Sequence, residues 1–488
     1  RSARAKTPPK QSDRGVLATF DRLKSGLRQT KDRSLIIEAT LRPHNRQTTS
    51  RGDFTVSNRL FAAALSAVLA AGILASTLPA ATAGDWPGFR GPNADNISTE
   101  EGIPLEWSDS KNLAWKTELP GPGSSSPIVH GDRVFVTCYS GYGLSRNAGR
   151  VDDLKRHLVC LDAKTGEIIF DKTVDSVARE DNYSGFITEH GYASSTPVTD
   201  GENVYCFFGK SGVVAFTRDG KKLWQVSVGT ESSNRRWGSA ASLVLYKDSV
   251  IVNASEESQS IRALKKSTGE EIWKTEASLL ELAYTTPGLV ELDNGEKELV
   301  VPVPDEVWAL NPDNGKLKWY CETSLRGNIS PSINTKDGII YACGGYRGVG
   351  SLAVRAGGKG NVTGSHVVWT SRATSYVPTP VMHDGTQYWV DDKGVAWAAS
   401  AETGEEIYRE RLETGGGRPF YASPVLCEGR LYVPSRRDGV YVIEAKPGFK
   451  LLAQNRLSDD TDFNASVAIA NGQLLLRSNK VIYCIRAK

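Results

Sequence analysis

From about Leu113 to the end of the chain, short runs of alternating apolar and polar residues are separated by Gly, Asn, Asp and Pro, which predicts strands joined by tight turns. The clearest unit is VWALNPDNGKLKWYCE, Val307 to Glu322: an apolar strand, turn chemistry from Asn311 to Gly315, and a second strand with Trp319 four residues past the glycine. It reads as a β-hairpin. Variants return as CLDAKTGEIIF from Cys160, AFTRDGKKLW from Ala215, ALKKSTGEEIW from Ala263, AASAETGEEIY from Ala398 and VIEAKPGFKLL from Val442. A copy with a longer turn, AVRAGGKGNVTGSHVVWT, starts at Ala353. Such recurrence marks a repeat architecture.

Each hairpin follows two further strand signals, the first opening on small residues: SSSPIV from Ser124, SSTPVT from Ser194, SAASLV from Ser239, TTPGLV from Thr285, ISPSIN from Ile329, PTPVMH from Pro378, ASPVLC from Ala422 and ASVAIA from Ala465. Eight openings predict eight four-stranded antiparallel blades. The last is followed by only three strands before Lys488, and LAWKTEL from Leu113 supplies the fourth. The expected fold is all-β: an eight-bladed β-propeller over residues 113–488, its ring closed by the N- and C-terminal strands in one blade. Residues 84–112 form an N-terminal extension. The recurring aromatics Trp115, Phe170, Trp224, Trp273, Trp319, Trp369 and Tyr408 are expected to be structural staples, each packed over the glycine turn of a neighbouring blade.

Charge changes the picture only at the front of the chain. The net charge of +3 conceals a basic leader: residues 1–59 hold 14 Lys and Arg against 5 acidic residues, leaving 45 against 51 in the rest. The repeats are therefore not basic, and nucleic-acid binding is not expected. The leader reads as disordered or as a mis-assigned upstream segment. Arg51 and Arg59, an apolar run from Leu60 to about Leu78 and Ala81-Thr82-Ala83 have the order of a secretory signal. Cleavage after Ala83 predicts a periplasmic or secreted protein. Membrane attachment is expected only if the segment 60–80 stays uncleaved. Seven cysteines, with no C-x-x-C and no Cys/His metal spacing, read as small buried hydrophobes, because Cys160 and Cys484 stand where other copies carry Ala or Val.

The pattern seen in ALKKSTGEEIW and CLDAKTGEIIF resembles the repeat of the PQQ-like propeller superfamily, which includes quinoprotein alcohol dehydrogenases and the BamB assembly lipoproteins. The segment from Asp85 to Pro92, DWPGFRGP, is similar to exported PQQ-like repeat proteins abundant in planctomycete bacteria. The resemblance implies a fold more than an activity, because the superfamily holds both enzymes and scaffolds.

In a propeller, the loops entering the innermost strands and those joining the second and third strands share one face. The first set carries Tyr192, Arg235, Trp237, Tyr284, Arg326, Asn328, Tyr376, Arg418, Tyr421 and Asn464, the candidate ligand-binding residues. Aromatics and guanidiniums around a tunnel suit a planar, anionic or sugar-like ligand. Two insertions on this face, Tyr139 to His157 and Ser176 to Ala193, hold Arg156, Glu180, Asp181, Glu189 and His190 and suit a lid or a docking surface. No catalytic set, cofactor or metal site is predicted.

The leading expectation is an exported, monomeric, non-catalytic scaffold of the cell envelope that binds a protein partner or a small, sugar-like ligand. One alternative is a quinoprotein oxidoreductase holding PQQ and Ca²⁺, although the chain has no vicinal cysteine pair and no C-x-x-C-H. Another is a polysaccharide-acting enzyme using carboxylates such as Asp391, Asp392 and Asp438.

Overall fold

The computed structural model describes residues 84–145, 149–346 and 349–487. The chain divides into two compact units, Arg1–Ser76 and Thr77–Lys488, and every described residue belongs to the second. The expected leader 1–59 and the expected signal segment 60–83 lie outside the described residues. Among the described residues no helix is long and apolar enough to cross a membrane.

Eight sheets carry four antiparallel strands each, in chain order from the axis outward. Numbered 1 to 8, the blades open at Ile128, Val198, Val244, Gly288, Asn334, Val381, Val425 and Ala468. Blade 8 is composite. Its first three strands end with Val481–Ile485, and Leu113–Glu118 adds as the fourth, with Trp115 opposite Cys484. The eight-bladed ring closed by both ends of the repeat region is thus observed.

One register recurs in seven of the eight blades, blade 7 having Ala453 in place of the aromatic. A small third-strand residue stands between a larger second-strand residue and the fourth-strand aromatic, as in Tyr205, Ala215 and Trp224 or Ile251, Ala263 and Trp273. Cys160 and Cys484 fill this position, and all seven cysteines are buried free thiols.

The staples follow. A Cβ placed on Gly166, Gly269, Gly315 or Gly404 would meet the ring of Trp115, Trp224, Trp273 or Trp369 within 2.4–2.7 Å, and one on Gly220 would meet Phe170 at 3.0 Å. Each of these four indole N–H groups donates to a carbonyl of the next blade's turn, on Ala163, Lys266, Pro312 and Ala401, at 2.8–3.2 Å.

Two staples depart from the expectation. Blade 5 has the lengthened turn, which packs no glycine against the Trp319 ring and instead lays Gly360–Asn361 parallel to the blade 4 edge, opposite Trp319 and Tyr320. Trp319 is consequently 0% exposed, and its Nε1–H donates to the buried Glu298 carboxylate at 2.8 Å. Tyr408 meets Phe449 edge-on at a centroid distance of 5.7 Å, because the blade 7 turn presents an aromatic where other turns present glycine.

The small-residue openings build the tunnel wall. One hydroxyl per blade, from Ser126 in blade 1 to Ser466 in blade 8, stands at the same register. The backbone N–H groups of Ser126, Thr196, Ser242, Ser332, Thr379 and Ser423 each donate to the hydroxyl of the next blade at 2.9–3.1 Å. At the seam between blades 8 and 1 the buried Arg477 takes over, donating to Ser125 Oγ and Thr137 O at 2.8 and 2.7 Å.

The extension 84–112 closes the tunnel at the face of the first-to-second strand turns. Trp86 bridges to Val129 of blade 1, Pro87 O accepts from Thr199 N–H of blade 2 at 2.9 Å, and Arg90 reaches Ile333 O of blade 5 at 2.5 Å. Ile97–Ser98 then pairs in parallel with Val425–Cys427 of blade 7. Phe89, between these anchors, points into the tunnel.

Candidate functional site

The opposite face carries a cavity among the loops where the candidate residues stand. An axial cavity of about 190 Å³ lies between Phe89 and the second insertion, and its wall includes Trp237, Tyr284, Asn328, Tyr376, Tyr421 and Asn464. The entering loops thus bring six of the ten expected residues together. The rings of Trp237 and Tyr284 stack at 6.0 Å, and Asn328 Nδ2 donates to the Tyr376 hydroxyl at 3.2 Å.

The other four lie off the wall. Tyr192 packs with Tyr139, Tyr142 and Tyr183 and donates its hydroxyl to Asp181 O at 2.7 Å. Arg235 lies over Trp237, 5.7 Å from its centroid. Arg418 lies over Tyr376 at 5.2 Å and pairs with Asp392 at 3.6 Å. Arg326 is exposed and pairs with Asp305 at 3.3 Å.

The second insertion, residues 176–193, crosses the mouth. Its Phe186 ring sits 4.4 Å from that of Trp237. The Glu189 carboxylate accepts from Arg436 of blade 7 at 2.7 Å, and Glu189 O accepts from Asn464 of blade 8 at 2.8 Å. His190 Nε2 contacts Trp237 O of blade 3 at 2.8 Å; the carbonyl requires Nε2–H as donor and leaves Nδ1 to accept from Ser194 at 2.5 Å. Burial lowers the His190 pKa and so favours the neutral ring.

The foot of the segment is tied by two further ion pairs, Glu180 to Arg156 at 2.6 Å and Asp181 to Lys210 at 3.0 Å. Beneath it lie Glu256 and Glu257, both buried. Glu256 accepts from Ser233 at 3.0 Å and Glu257 accepts from Ser239. Burial pushes the Glu257 carboxyl up to about 8 and raises those of Glu256 and Glu180.

Three of the guanidiniums near the cavity are already engaged by carboxylates, Arg436 by Glu189 and by Asp462 at 2.5 Å, Arg418 by Asp392 and Arg156 by Glu180, whereas the exposed Arg235 lies over the Trp237 ring. What faces the cavity is mostly aromatic and hydroxylic, joined by Glu189, His190 and Asn328, with Asn464 Oδ1 buried and unpaired among the described residues. Sequence reasoning missed Phe89, Phe186 and the Ser/Thr belt. The belt had a signal, since every small-residue opening carries Ser or Thr at that register; the two phenylalanines had none, because each meets the wall across a long stretch of chain.

A family model described as outer membrane protein assembly factor BamB matches residues 140–283 and 246–410. No curated protein matches. Among solved structures, BamB from Moraxella catarrhalis aligns with a TM-score of 0.53 at 12% identity, covering 76% of this chain and 98% of that one. A europium-containing methanol dehydrogenase gives 0.52 at 13%, covering 80% and 89%, and the C-terminal WD40 domain of Sif2 gives 0.51 at 13%, covering 78% and 99%. At such identities these likenesses show the fold alone. The two family matches together span residues 140–410, more than half of the 488, and the chain belongs to the family of the outer membrane protein assembly factor BamB.

Proposed function

We propose that this protein is an exported binding scaffold of the cell envelope, acting as a monomer, whose tunnel face receives a protein partner or a small, neutral, sugar-like ligand and performs no redox chemistry. The observation that carries this reading is the segment 176–193, whose Phe186, Glu189 and His190 bind across the tunnel mouth to blades 3, 7 and 8. A closed mouth leaves the rim loops as the contact surface, and rim loops on a rigid ring suit partner binding.

The chemistry of the wall agrees. A bound PQQ presents carboxylates, which need unpaired cations; Arg436, Arg418 and Arg156 are each neutralised, which leaves the exposed Arg235 over the Trp237 ring. Among the described residues no three His, Cys, Asp or Glu side chains converge to hold a metal such as calcium. Both features weigh against that cofactor pair. The carboxylates weighed for polysaccharide chemistry are engaged too: Asp391 accepts from Lys393 and Val395 N–H at 2.9 and 3.0 Å, Asp392 is paired with Arg418, and Asp438 accepts from Gly415 N–H at 3.1 Å.

The test is a spectral titration of the protein with PQQ and Ca²⁺, together with a dye-linked alcohol oxidation assay. An unchanged quinone spectrum and no dye reduction are expected. Stoichiometric uptake with turnover overturns the reading.

A further inference from the structure

Blade 1 departs from the other seven blades at three positions, and the three departures touch. The repeated register, Phe135–Cys160–Phe170 in this blade, fixes which residues correspond around the ring. Ser140 ends the second strand, five residues after Phe135; the other blades carry Lys, Glu, Asp, Tyr or Arg there. His157 precedes Cys160 by three, where the others carry Gly, Ser, Glu or Val. Asp171 follows Phe170, at a place the others fill with Gln, Lys, Tyr, Thr or Arg. The ring therefore closes seven times without these side chains, and the fold does not require them.

Their geometry is ordered. Ser140 Oγ lies 2.7 Å from His157 Nε2, and His157 Nδ1 lies 2.8 and 3.0 Å from the two oxygens of Asp171. The carboxylate must accept, so Nδ1 carries the proton and Nε2 is left to accept from the serine hydroxyl. His157 is 5% exposed, while Ser140, at the base of the first insertion, keeps partial access to solvent.

We propose that Ser140, His157 and Asp171 form a nucleophilic triad that hydrolyses short-chain carboxylic esters, a reaction separate from the tunnel-face binding reading and not dependent on it. Ser140 Oγ bonds to the acyl carbon as its proton passes to His157 Nε2; the C–O bond to the alcohol breaks and the departing oxygen takes that proton. Water then attacks the acyl-serine, gives a proton to Nε2, and the carboxylic acid leaves as the proton returns to Oγ. Asp171 is a positioning residue, holding the imidazole in the productive tautomer. The acyl group must be small: the linker from blade 8 presses on the strand next to Ser140, where a Cβ on Gly121 would lie 2.0 Å from Tyr139 O.

The test uses the full chain with a fluorophosphonate label and p-nitrophenyl acetate. Label is expected on Ser140, lost in Ser140→Ala and His157→Gln at unchanged melting midpoints, with acetate hydrolysis falling at least about a hundredfold in both. Asp171→Asn should lower kcat by about a hundredfold or more at unchanged KM and alter the pH profile. A wild-type chain that takes no label at Ser140, or equal hydrolysis by Ser140→Ala, overturns the proposal.

Discussion

Trp273 and Gly315 occupy complementary volumes across the junction of blades 3 and 4: a Cβ on the glycine would lie 2.4 Å from the indole Cε3, and the indole N–H is bonded to Pro312 O of the same turn at 2.9 Å. The contact ties two blades through one side chain and one missing side chain.

Gly315 and Gly338 share a φ of +70°, but only Gly315 has a neighbour there; nothing lies within 4 Å of a Cβ built on Gly338. Gly338→Ala should cost about 1 kcal/mol for the left-handed backbone. Gly315→Ala should cost about 1–3 kcal/mol more, from overpacking against Trp273. Denaturant melts of the two variants measure the difference, and equal midpoints would remove the staple from the account.

Trp319 differs from the other staples because its partner is a carboxylate. Trp319→Ala should lower stability by roughly 3–5 kcal/mol. Trp319→Phe, which keeps a ring but withdraws the N–H from buried Glu298, should cost about 1–3 kcal/mol. Thermal and denaturant melts check both values, and the axial cavity should be unaltered.

The hydroxyl belt makes a separate prediction. Thr379→Val keeps the shape of the side chain but removes the acceptor for Ser332 N–H, which is bonded at 3.0 Å. The loss should be about 1–3 kcal/mol for a buried donor left without a partner. It is read as a shift in denaturant midpoint at constant slope.

Glu257 gives the stability a pH dependence. Its folded pKa is raised by burial to about 8, so between about pH 5 and 8 the folded chain holds a proton that the unfolded chain has released. The contribution of this group is full in acid and declines as pH rises through that window. Glu256 and Glu180 shift in the same direction. Glu257→Gln should flatten the decline, with the largest relative gain near pH 8, measured by melts across that range.

The blades, their number and the closure at Leu113–Glu118 were legible because each is written as a local repeat: an alternation, a glycine turn, an aromatic four residues on. The site was legible only in part. Trp237, Tyr284 and Asn464 follow from their place before an innermost strand, and the cavity does gather them. Arg326 has the same place in the pattern yet leaves the wall for Asp305. A long side chain is directed by its charge partner, and that partner is not fixed by the repeat. Phe89 and Phe186 were hidden for a related reason, since both lie in non-repeating segments that reach the axis from opposite faces.

Blade 8 sets an order on assembly. The partner of Trp115 is Cys484, so the first strand of the ring waits, with one edge unpaired, for a strand of its last repeat. Until it arrives, Trp115 has no third strand to dock on and its contact with Gly166 lacks support from the seam side. Closure of the ring is thereby tied to the arrival of the third strand of blade 8. A truncation that removes Val481–Ile485 would open the ring at both sides of one blade at once, which makes these residues a checkpoint for ring closure.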